Sequence, residues 1–161
     1  AVSGAGRAKV GYEVTDLIES LEGVLGLNNY TSAVLVGAGK LGRALFEYDG
    51  FEAYGVRIVA AFDSDEELVR LTETKEILPM EMFETFCREH HVQIGIITVD
   101  EHSAQDVCDR MVKSGITAIW NFVPCSLNVP SDVLIQHEKL ELSLALLSNE
   151  LSSFLLETNG K

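Results

Sequence analysis

One uninterrupted unit constrains this chain more than any other feature: Thr31 to Asp63, TSAVLVGAGKLGRALFEYDGFEAYGVRIVAAFD. Its opening run, Ala33-Val34-Leu35-Val36, is apolar with no polar alternation. A strand buried on both faces of a parallel sheet reads this way. The run passes into Gly37-Ala38-Gly39-Lys40-Leu41-Gly42, a G-x-G-x-x-G. A helical stretch from Arg43 to Tyr48 follows, then a second buried strand over Val56 to Phe62 that ends on Asp63. The acid stands roughly 20 residues beyond the last glycine, where a dinucleotide fingerprint requires one.

Each residue type in the unit has a physical task. Gly37 permits a tight strand-to-helix turn, and Gly39 has no Cβ to keep a pyrophosphate from the backbone. Gly42 lets the helix lie close to the strand. The N-terminus of the helix that follows offers free N–H groups and a positive dipole end to phosphate. Asp63 can accept hydrogen bonds from ribose hydroxyls and would repel a 2′-phosphate. The pattern therefore favours NAD(H) over NADP(H). The same glycines could also serve packing alone.

The rest of the chain extends the alternation. Ser64 can cap a helix to about Leu71, and Glu76-Ile77-Leu78 is a short extended piece. Met82, Phe83 and Phe86 mark a helix ending near His90, and Val92 to Val99 is a buried strand. Ser103 to Lys113 is a helix stopped by Ser114-Gly115. Ile116 to Trp120 is a strand, and Val133-Leu134-Ile135 is a last short one. Apolar strands alternating with helices predict an α/β fold, a doubly wound parallel sheet. Ligands of such sheets bind beyond the carboxyl ends of the strands. Those ends are Asp63, the Thr98-Val99-Asp100 corner and the Asn121-Phe122-Val123-Pro124 corner. Thr98 and Asn121 could bond a ribose or carboxamide, or could simply cap the turns that follow.

The two ends of the chain differ from this body. Residues 1–12 are glycine-rich and carry Arg7 and Lys9, as a hinge or linker would. Val14, Leu17, Ile18, Leu21, Val24 and Leu25 recur at helical spacing, with Thr15 as N-cap and Gly26 as stop. The dinucleotide-binding domain is expected over 13–139. Residues 140–161 form a terminal helix that is apolar around most of its circumference, and such a helix must be buried against something large. Its own sheet could serve, but a second subunit is favoured, because most soluble oligomers are symmetric dimers.

Composition narrows the function. At 161 residues with 47% hydrophobic content, the chain can build one substantial core. No apolar run reaches membrane-spanning length. The net charge of −13 makes the chain a poor ligand for a phosphate backbone. Cys87, Cys108 and Cys125 are odd in number and irregularly spaced, which suggests reduced thiols in a cytoplasm and neither a disulfide framework nor a zinc site. Cys125 reads as a structural thiol.

The segments GRAKVGYEVTDLIESLEGVLGL, VLVGAGKLGRALFEYDGF, VRIVAAFDSD, IGIITV and GITAIWNFVPCSLNVP, with the leucine-rich end helix, resemble the Rex family of bacterial redox-sensing transcriptional repressors. The resemblance covers nearly the whole chain. It implies a Rossmann-like NAD(H)-binding core in a homodimer, with the C-terminal helix swapped onto the partner. It also implies that NADH drives a DNA-releasing arrangement and that an N-terminal winged-helix domain, missing from this sequence, contacts DNA. On this reading Gly37, Ala38, Gly39, Lys40 and Leu41 hold the pyrophosphate and Asp63 the adenosine ribose. Thr98, Val99, Asn121, Phe122 and Val123 line the nicotinamide half, and Tyr48 joins the sensing group. Asp100 and Ser126 stand where the family has proline, and Glu141 where it has aspartate.

Two other functions fit the same scaffold: an NAD-dependent oxidoreductase, and a CoA- or other nucleotide-binding module. The first needs an acid or base near the nicotinamide. His90-His91 reads as a solvated pair, His102 opens a helix, His137 falls past the last strand, and no Tyr-x-x-x-Lys is present. The chain is therefore not expected to be an enzyme. Against the second, Asp63 suits a free ribose diol.

Overall fold

A computed structural model describes residues 30–69 and 77–160. The expected hinge over 1–12 and helix over 14–25 lie outside the described residues, as does the end of the Ser64–Leu71 helix.

The elements run β1 (Thr31–Val36), α1 (Lys40–Glu47), a 3-10 turn (Asp49–Tyr54), β2 (Val56–Asp63) and α2 (Glu66–Val69). They continue with β3 (Ile77–Pro79), a 3-10 turn (Met80–Met82), α3 (Phe83–Glu89), β4 (Ile94–Ile97) and α4 (Ala104–Lys113). β5 (Ala118–Asn121), β6 (Leu134–His137) and α5 (Leu140–Asn159) complete the order. All strand pairs are parallel, in the spatial order β3-β2-β1-β4-β5-β6. This is the doubly wound order of the Rossmann fold, and the chain direction of winding reverses between β1 and β4.

The sheet buries side chains on both faces. Val34, Val36, Phe62 and Ile97 pack with Phe83, Cys87, Val107 and Met111 of α3 and α4. Ala33, Leu35, Ala61, Ile77 and Ile96 pack with Phe46 of α1. Towards β6 this second face opens, among the described residues, into an apolar trough of about 650 Å³ floored by Ile94, Ala118 and Trp120.

Several expected boundaries move, each for a local reason. β2 is not buried throughout: its first half alternates, because the register with β1 shifts between Ala33 and Val34 and leaves Val59 as the extra, 37% exposed residue. β4 is four residues long, since Val92 is buried in the preceding turn and Thr98 and Val99 already bend away. α1 begins at Lys40 and ends before Tyr48, whose ψ of 123° is extended. Ser64 does not cap α2: the Asp65 carboxylate accepts the Glu67 N–H at 3.0 Å instead. His137 does not fall past the last strand, because it is the final residue of β6, in register with Asn121 of β5.

Candidate functional site

The glycine corner lies at the switch point between β1 and β4. Gly37 has φ of +106°, a left-handed value that favours glycine, and a Cβ there would stand 2.5 Å from the Thr98 carbonyl oxygen. At Gly42 a Cβ would run into the Gly37 carbonyl. At Gly39 a Cβ would meet nothing within 4 Å, and the backbone there is extended. Two of the three glycines are thus filled by the protein's own backbone, while the middle one faces open space. α1 begins beside that space with no side-chain cap and no acid in its first turn. The arrangement leaves the helix start available to an anion.

Asp63 reaches into this corner from the end of β2. Its Oδ2 accepts the Ala38 N–H at 2.7 Å and its Oδ1 accepts the Asp65 N–H at 2.8 Å. Each carboxylate oxygen keeps acceptor capacity for a hydroxyl. Thr98 supports the loop from below: its hydroxyl donates to the Gly37 carbonyl at 2.7 Å and lies 3.1 Å from that of Val36. Val99 is half-buried against the core. Asp100 accepts the Ser103 N–H at 3.0 Å and so fixes the approach to α4.

A second corner is built at the ends of β5 and β6. Asn121 is fully buried, and its amide is committed to the protein. Oδ1 accepts the Val123 N–H at 3.0 Å, while Nδ2 lies 3.0 Å from the Val123 carbonyl, 3.3 Å from that of Cys125 and 3.0 Å from His137 Nδ1. The side chain therefore holds the turn that follows it. The Phe122 N–H donates to the Ile97 carbonyl at 3.0 Å, which ties this corner to the Thr98 corner. Phe122, Val123, Cys125, His137, Glu138 and Glu141 are among the residues lining a cavity of about 630 Å³. Burial, with a contribution from Glu101, raises the Cys125 thiol above its ordinary pKa, so it stays protonated and inert at neutral pH.

Four aromatic rings run from one corner to the helix end. Tyr48 packs edge-on to Phe51 (5.0 Å between centroids), Phe51 to Trp120 (5.6 Å), and Trp120 against Phe122 (4.6 Å). The Trp120 indole N–H donates to Glu138 at 3.0 Å. Tyr48 itself is 59% exposed.

The expected site residues thus fall into two groups joined through β4. Gly37 to Leu41, Asp63, Thr98 and Val99 form one, Asn121 to Val123 form the other, and Tyr48 reaches the second only through Phe51 and Trp120. The sequence reading missed His137, Glu138 and Phe51. The first could have been found by period-2 alternation, because Ile135 and His137 are the half-buried positions of β6.

The strand order, the open glycine and the acid at the end of β2 define a nucleotide-binding domain of the Rossmann type. Residues 28–125 match the family model described as a CoA binding domain. The relatives are more specific. The redox-sensing transcriptional repressor Rex of Desulforamulus reducens is 42% identical over 148 residues, covering 91% of this chain and 70% of that protein. Rex of Bacteroides thetaiotaomicron is 42% identical over 151 residues, covering 92% and 68%. Among solved structures, RSP, a Rex-family repressor, superposes with a TM-score of 0.75 at 35% identity, covering 94% of this chain and 73% of that one. RSP in complex with beta-NAD+ and operator DNA gives 0.74 at 35% identity, covering 97% and 72%. The chain belongs to the Rex family of redox-sensing transcriptional repressors.

Proposed function

We propose that this chain is the NAD(H)-binding, redox-sensing part of a Rex-type repressor, a homodimer that NADH shifts towards release of DNA. The carrying observation is the contrast among the three glycines. Gly37 and Gly42 face backbone, whereas only Gly39 faces space that a pyrophosphate could fill. A related repressor of known structure has been solved with beta-NADH and with beta-NAD+ and operator DNA, which supports the choice of ligand and partner.

Gly37, Ala38, Gly39, Lys40 and Leu41 would cradle the pyrophosphate and Asp63 the adenosine ribose. Thr98 would act as a strut under the loop. Val99, Phe122 and Val123 would line the nicotinamide half, with Asn121 acting through the turn it holds. Tyr48 would serve the sensing group from the helix end. The nicotinamide supplies the redox state that is read, and this chain supplies binding and orientation without turning a substrate over. The relatives being named repressors supports the reading of a sensor over an oxidoreductase.

Operator contact is assigned to a winged-helix part outside the described residues, since an acidic surface repels a phosphate backbone. The dimer is assigned to α5, whose leucines are exposed in the single chain. Among the described residues no helix is long and apolar enough to cross a membrane. A DNA-directed role would be exercised in the cytoplasm.

Calorimetric titration with NADH and with NAD+, run beside Gly39→Val and Gly42→Ala, tests the reading. Tight NADH binding with weaker NAD+ is expected. Gly39→Val should lose NADH by tenfold or more while folding stability falls by only about 1 kcal/mol, the scale of a weakened helix start. Gly42→Ala should unfold the corner itself. Undiminished binding by Gly39→Val would overturn the assignment of the pyrophosphate.

A further inference from the structure

The amide of Asn121 cannot be turned over. Its Oδ1 faces the Val123 N–H, and its Nδ2 faces the carbonyls of Val123 and Cys125. A flipped amide would set oxygen against two carbonyls and N–H against N–H. The group 3.0 Å away, His137 Nδ1, must therefore accept, and the imidazole proton resides on Nε2. A protonated His137 would present a second donor to Asn121, and this bond would be lost. Only one imidazole tautomer is compatible with the knot that holds the Phe122–Cys125 turn.

The turn and the imidazole share the same cavity. The backbone reinforces the junction: the Glu138 N–H donates to the Asn121 carbonyl at 2.8 Å. We infer that His137 is a positioning residue for the nicotinamide corner: as the imidazole that accepts from Asn121 it steadies the Phe122–Cys125 turn. The inference rests on the NAD(H) reading for the ligand, but the knot itself does not. The charged and titratable groups facing this junction are Glu138, Lys139 and Glu141 around the cavity, Cys125 on the turn, and Glu101 beside Cys125.

Trp120 is the one tryptophan of the chain and lies beside Asn121, bonded to Glu138 next to His137. Its emission in the ligand-free protein should shift in His137→Leu, which cannot accept the bond, and keep the wild-type value in His137→Asn, which can. NADH affinity should fall about fivefold in His137→Leu, the scale of one net hydrogen bond, and hold in His137→Asn. An emission unshifted in His137→Leu, or shifted equally in His137→Asn, would overturn the inference. Should that variant not fold, nitrogen NMR of the wild-type imidazole decides: an Nδ1-protonated neutral form rejects the proposal, and an Nε2-protonated form supports it. Failure of NADH to bind the wild type would sink the ligand reading alone, because the emission comparison needs no ligand.

Discussion

Two helices of this chain meet opposite ends. α4 carries one apolar stripe, and Ala104, Val107, Cys108 and Met111 are all buried against the sheet. α5 is apolar on most sides and has no buried residue: Leu144 is 68% exposed and Leu156 is 76%. Their polar groups differ in the same way. Gln105 of α4 reaches the Asn128 carbonyl at 3.0 Å, whereas among the described residues Ser152 and Thr158 of α5 bond only to carbonyls of their own helix. α4 is explained by contacts within the chain. α5 exposes leucines worth about 1.5–3 kcal/mol each on full burial, so its sequence makes physical sense only against a partner.

The contrast can be broken at either helix. Leu147→Glu with Leu151→Glu should change the mass in solution from dimer to monomer, the largest effect expected, while far-ultraviolet dichroism of the core is kept. A dimer that survives both charges would mean that α5 is not the interface. Met111→Ala in α4 should cost about 2–5 kcal/mol of folding stability, independent of protein concentration, because its side chain is fully buried beside Gly95. Leu151→Ala should instead cost stability that depends on protein concentration. Urea unfolding at two protein concentrations distinguishes them, and equal behaviour of the two variants would remove the distinction between the helices.

Most of the fold was legible because local pattern and global packing agree. The apolar runs of β1 and β4, the glycine turn and the alternation of strands with helices all point to one parallel sheet. What was not legible depended on neighbours distant in sequence. The bulge at Val59 arises from its register with β1. The hydroxyl of Thr98 is taken up by the glycine loop, across 61 residues of chain. Asn121 reads as a candidate ligand group in sequence, yet it is buried and committed to the turn after it. His137 gains its significance only when β6 is laid in register with β5. The site was legible where backbone geometry demands glycine, and illegible where one polar side chain holds another.

The smallest test concerns the polar side of α4. Arg110 clamps Glu84 of α3 with two contacts, Nε to Oε1 at 2.7 Å and Nη2 to Oε2 at 2.9 Å, and Nη2 also donates to the Met80 carbonyl at 2.7 Å. The Arg110 hydrogen bond holds the Glu84 carboxyl below its ordinary pKa of 4.5, more strongly than desolvation raises it. A carboxylate whose pKa is lowered by folding contributes stability that is fully present above the unfolded value and lost as pH falls through the folded one. The clamp should therefore act unchanged from neutral pH down to about pH 5.5 and fade below about pH 4.5. Both side chains are about one-third exposed (36% and 34%), so water and salt screen the pair. A double-mutant cycle with Glu84→Gln and Arg110→Met should give a coupling of about 0.5–1 kcal/mol at pH 7 and low salt. It should shrink at high salt and weaken progressively as pH falls below about 4.5. A coupling that neither salt nor acid reduces would show that shape, not charge, joins α3 to α4. Glu157 of α5 offers the control, since charge removal at an exposed site with no side-chain ion pair among the described residues should leave monomer stability unmoved.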